Sequence, residues 1–168
     1  MPLSYHLILE ALANLQRYRD YRLAIVHAET AFEVFVVNSL VRLMVDSGMP
    51  SAEAYSRIEN DSAYWGVKRK IRQLDNWSGQ YCARNSIPFT AFVNSGMFSR
   101  WESALYDKRN AAVHAGADAF SYPDASSAVG VSKECIAFLD GRIPSMANRV
   151  QLDSSMAGFR ENAGEVMF

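Results

Sequence analysis

The chain has 168 residues, 49% of them hydrophobic and 21% charged, enough for one domain around a substantial core. Its net charge of −1 excludes the global basic field of an obligate nucleic-acid binder, so contact with nucleic acid would need a local patch. Cys82 and Cys135 are too far apart for a CxxC unit, so neither a zinc site nor a disulfide framework is expected and a reducing compartment is the simple reading.

The N-terminal MPLSYHLILEAL lacks a basic leader and a small-residue cleavage site, so no signal peptide is expected. No apolar run is expected to approach the ~18 residues that span a bilayer. A cytoplasmic protein without membrane contact follows. Leu3, Leu7, Ala11, Leu12 and Leu15 recur at three- and four-residue steps and predict an amphipathic helix from about Ser4 to Tyr18. The charged RYRDY at 17–21 predicts a break. A longer helix is expected from about Asp20 to Asp46. It is apolar on most sides, which marks a central helix or one shared with a partner. Its β-branched VFVV lies in an apolar stretch far longer than a strand, with no turn signal. Ser47, Gly48 and Pro50 end it.

Residues 51–60 read as a short helix or irregular link. Asp61 or Ser62 is expected to cap a third long helix reaching Ala83, with Trp65, Ile71 and Leu74 buried. Residues 84–98 read as a loop anchored by Ile87, Phe89 and Phe92. Ser99-Arg-Trp-Glu102 and Ser121-Tyr-Pro-Asp124 have the form of capping boxes. The first is expected to open a helix that stops at Gly116, the second a last helix ending near Gly141. Periodicity is lost from Ser145 onward, so 1–141 reads as one helical domain and 142–168 as a loosely ordered tail. Nothing alternates at period two over a useful length. The expected fold is all-α: an up-and-down bundle of four to five helices.

The chemistry concentrates in WESALYDKRNAAVHAG, 101–116. At about 100° per residue, Ser103, Asp107, Asn110 and His114 share one stripe, while Trp101, Leu105 and Ala112 share another that should face the core. Arg109 stands beside the apolar stripe, about 140° from His114. Convergence of the two needs the reach of the arginine or a second copy of the helix. Histidine transfers protons near neutrality and arginine holds phosphate bidentately. With Asn110 to orient phosphate or imidazole, the three could cleave a phosphodiester without a metal. The competing reading is a C-terminal histidine on a helix dipole and an arginine in a surface ion pair.

Arg109-Asn110-Ala111-Ala112-Val113-His114, late in an all-α chain, resembles the signature of the HEPN superfamily (higher eukaryotes and prokaryotes nucleotide-binding): an arginine, four to six residues with a polar one often first, then a histidine. The following AG, the capped DASSAV helix and AIVHAETAFEVFV at 24–36 are also similar to the family. The resemblance covers residues 4 to 141. It implies a homodimer with two motifs meeting in an interfacial cleft, and no cofactor or metal. It implies metal-independent cleavage of RNA in which a 2′-hydroxyl attacks the adjacent phosphate to leave a 2′,3′-cyclic phosphate. His114 would move the proton, Arg109 would hold the phosphate and Asn110 would assist, with Asp107 in support. The family also implies toxin or defence roles, with an antitoxin or other protein partner. The alternative is a non-catalytic HEPN-like module that binds nucleotide, RNA or a protein.

Glu29 and Glu33 lie one turn apart on the apolar second helix, next to His27. A carboxylate there needs a partner. Glu33 either orients Arg109 or His114 or forms a structural salt bridge. Lys68, Arg69, Lys70 and Arg72, flanked by Trp65 and Trp77, either guide an RNA backbone or form a solvated face. His6 and His27 have no metal-ligand partners at useful spacing and read as structural.

Overall fold

A computed structural model describes residues 2–114 and 119–142. All regular structure among them is helical. In chain order the helices are α1 (Leu3–Ala13), α2 (Tyr21–Asp46), α3 (Ser51–Asn60), α4 (Val67–Arg84), α5 (Gly96–Trp101), α6 (Asp107–His114) and α7 (Tyr122–Asp140). Two π-helical turns, Asn14–Tyr18 and Glu102–Tyr106, extend α1 and join α5 to α6. The expected Gly116 cap lies outside the described residues, as does the tail beyond Arg142.

α2 is the centre of a helical bundle. Asp20 starts it by accepting a hydrogen bond from the Leu23 amide at 2.9 Å, and Gly48, at φ 99°, ends the chain's run in the left-handed region that glycine adopts without strain. Between them α2 packs against α1, α4, α6 and α7. Phe32, Val36, Leu40 and Met44 are completely buried. VFVV is helical, because burial on several sides outweighs the modest helix penalty of valine. By length and composition α2 is apolar enough to cross a membrane, which corrects the expectation that no run reaches that length. Within the bundle, 56% of its most apolar stretch is buried.

The first helix buries Ser4, Ile8, Ala11 and Leu15, while Leu3 is exposed. LSYHLILEAL has leucines on two sides, and contact with α2 selects one of them. The break falls at Arg19, in the left-handed region at φ 55°.

The third long helix starts later than expected. Asp61 caps only a 3₁₀ turn, Ser62–Tyr64, through the Ala63 amide. Gly66 at φ 75° then resets the chain before Val67. Trp65 is therefore 59% exposed rather than buried, whereas Ile71 and Leu74 are in the core. Ser99 does not cap a helix. α5 begins at Gly96, and the Ser99 hydroxyl donates to the Gly96 carbonyl from inside it. Burial moves that start upstream: Phe98 stacks on Trp101 at 5.4 Å, and Trp101 packs on Phe32 at 5.7 Å and Tyr106 at 5.1 Å. Phe92 is fully buried as expected, with Ile87 and Phe89 packed on the core's edge.

Ser121 and Asp124 form the expected capping box on α7 with both reciprocal bonds, and Pro123 lies in the first turn. The Ser132 hydroxyl donates to the Ala28 carbonyl at 2.7 Å, a buried cross-tie between α7 and α2. Arg142, assigned to the tail from sequence, is packed. Its guanidinium lies 4.6 Å from the Phe89 ring and 5.1 Å from Phe138, and donates to Asp75 at 3.4 Å.

Candidate functional site

Right-handed backbone runs unbroken from α5 through the second π turn into α6. Trp101, Leu105 and Ala112 are completely buried, so the core side of this rod is the side the helical wheel predicts. A π turn holds more residues than an α turn, and such turns recur at functional sites. This one lies directly before the residues of interest.

Arg109 and Asn110 are half-buried and adjacent, the guanidinium donating to the Asn110 side-chain oxygen at 3.3 Å. His114 is exposed at the last described position of α6. Asp107 is exposed at its start. The structure thus joins arginine to asparagine and leaves the imidazole open to solvent. Asn110 and His114 are separated by one helical turn.

Beneath this surface lies Glu29, 2% exposed. One carboxyl oxygen accepts from the Trp101 indole at 3.1 Å; the other is buried without a hydrogen-bond partner. Burial pushes its pKa up to about 8, against the opposing pull of the Trp101 hydrogen bond, while Glu33 raises it further and Arg109 lowers it. The group is mostly protonated at neutral pH, so Glu29 does not neutralise Arg109. The partner of Glu29 has no local signal in the sequence, because Trp101 is 72 residues away.

Glu33 faces elsewhere. It accepts from the Lys70 ammonium at 2.8 Å, a structural salt bridge between α2 and α4. Lys68 is likewise engaged, by Glu102 at 2.5 Å and over the Tyr106 ring at 4.7 Å. The expected basic cluster is therefore divided. Lys68 and Lys70 turn toward neighbouring helices, while Arg69, which donates to the Ser62 carbonyl at 2.7 Å, and Arg72 are exposed.

Arg22 has no signal in the sequence. Its Nε donates to the Ala112 carbonyl at 2.7 Å, satisfying one of the acceptors that the last turn of α6 leaves open. It brings a second arginine to the end of α6 that carries His114. His27 pairs with Asn14 at 3.2 Å and His6 lies 3.7 Å from Glu10. Burial raises both thiols, Cys135 up to about 12, so neither is poised as a nucleophile. Among the described residues, no three His, Cys, Asp or Glu side chains cluster as metal ligands. No protein-family model, curated protein or solved structure matches the chain.

Proposed function

We propose that the chain is a HEPN-like, metal-independent endoribonuclease that acts as a homodimer. The observation that carries this reading is the α6 surface. Arg109 and Asn110 are linked to each other and un-neutralised by Glu29, and His114 is open to solvent one turn on. In the proposed reaction His114 takes the proton from a ribose 2′-hydroxyl, whose oxygen attacks the adjacent phosphorus. The bond from phosphorus to the 5′-oxygen breaks, that oxygen receives the proton that His114 took up, and a 2′,3′-cyclic phosphate remains. Arg109 holds the phosphate oxygens and stabilises their developing charge, with Asn110 orienting the guanidinium. Arg109 and His114 diverge by about 140° around one helix, which is why the reading calls for a second copy to complete the cleft.

The test incubates purified protein with structured and unstructured RNA in EDTA. Cleavage to cyclic-phosphate ends is expected. Loss of about 100- to 10,000-fold is expected in His114→Ala, the range of a general acid–base group, with a comparable loss in Arg109→Ala. Cleavage indifferent to both substitutions, or no cleavage of any RNA, defeats the catalytic reading. RNA or protein binding without cleavage would assign the chain to the non-catalytic HEPN-like modules instead. Within that alternative, the engagement of Lys68 and Lys70 in ion pairs removes two cations from any RNA-guiding face and so favours a protein ligand on that face.

A further inference from the structure

Between α3 and α4 runs an open groove of about 500 Å³, within the roughly 300–1,000 Å³ range of ligand sites. One wall is a row of side-chain amides, Gln73, Asn76 and Gln80. With Arg69 they occupy positions i, i+4, i+7 and i+11 of α4, a sector of about 60°. The opposite wall carries Arg57 and Asp61, and Tyr64 and Trp77 also line the groove, the Trp77 indole donating to the Tyr64 hydroxyl at 3.1 Å. Trp65, next after Tyr64, is 59% exposed. The one carboxylate of the lining, Asp61, is occupied in capping the Ala63 amide.

We propose that this groove binds unpaired nucleotides of single-stranded RNA. Carboxamides present a donor and an acceptor together, the pattern that reads a base edge. The Arg57 guanidinium of the lining matches phosphate; Arg69, which also donates to the Ser62 carbonyl, and the exposed indole of Trp65 lie outside the lining, the first as a further cation and the second as a stacking surface for a splayed base. A peptide without acidic side chains would engage the amides but bring no counter-charge to the guanidiniums, whereas a nucleic-acid backbone brings one at every nucleotide. Lys68, the residue before Arg69, is bonded to Glu102 in the π turn that leads into α6.

This inference rests on RNA being the ligand of the proposed function, and the experiment separates the two. The full chain is titrated into a fluorescent 2′-O-methyl oligoribonucleotide of about ten residues, which lacks the attacking hydroxyl, and anisotropy is read. The Gln73→Leu/Asn76→Leu double variant, Arg57→Glu and Trp65→Ala are each expected to weaken binding about tenfold. A duplex of the same sequence should bind more weakly than the single strand, because its base edges are paired. Thermal melting checks that each variant, altered only at the surface, remains folded. If the wild-type chain does not bind, if the groove variants bind like wild type, or if duplex binds as tightly, the proposal is overturned. Groove-dependent binding by a chain that cleaves no RNA defeats the catalytic reading alone. Cleavage with binding indifferent to the groove variants defeats this one alone.

Discussion

At the scale of single residues, Glu29 carries the clearest physical consequence. Its carboxyl is protonated in the fold and ionised in the unfolded chain over the interval from 4.5 to about 8. The folded-state pKa is raised, so the stability tied to this proton is fully present below the unfolded value and is lost as pH rises through the folded one. The shift corresponds to on the order of 5 kcal/mol between those limits. Glu29→Gln removes the titration while keeping an acceptor for Trp101. We expect the variant to lie within about 1 kcal/mol of wild type near pH 5 and to be the more stable protein near pH 9, measured by urea unfolding. Parallel stability curves for the two proteins would show that Glu29 is not the titrating group.

Among the elements, α7 and α6 are joined where the capping box meets the motif helix. Lys108, immediately before Arg109, bonds Asp124 at 2.5 Å, and Asp124 also accepts from the Ser121 amide and hydroxyl. Lys108 first, and then Ser121, hold the Asp124 carboxyl well below the usual range. Ser121→Ala should cost about 1 kcal/mol. Asp124→Ala should cost more, because it also frees Lys108, and the difference between the two should shrink on acidification as the wild-type carboxylate gains its proton. Equal costs at all pH values would remove the link between the helices. The capping box was legible from Ser121 to Asp124 because it is a local pattern. The start of α5 was not, because Ser99-Arg-Trp-Glu102 has the same form and only the burial of Trp101, with Phe98 packed against it, excludes it. The π turn has no residue signature at all.

For the molecule as a whole, Asp75 and Arg142 tie distant parts of the chain together. Asp75, 6% exposed, accepts from the Phe92 amide at 2.7 Å, the Val93 amide at 3.0 Å and Arg142 at 3.4 Å. Asp75→Ala strands two amides and a largely buried guanidinium and should cost about 3–5 kcal/mol; a loss below about 1 kcal/mol in chemical unfolding would show the contacts to be dispensable. The all-α architecture was readable from helical periodicity and the absence of alternation, as was α2's central place from its apolar sequence. The divided roles of 68–72 were not. Four consecutive-looking cations differ only in which of them finds a carboxylate, Glu33 or Glu102, on another helix. Arg22 and Glu29 were hidden for the same reason, since their partners are 90 and 72 residues away.

The apolar length of α2 has a consequence before the fold exists. Its residues are synthesised second, but α7, which supplies the Ser132 bond to its Ala28 carbonyl, comes about a hundred residues later. Throughout that interval the nascent chain carries a segment with the length and composition of a membrane span. In the folded chain α1 packs along the same helix, so a change that undocks α1 uncovers apolar surface of α2.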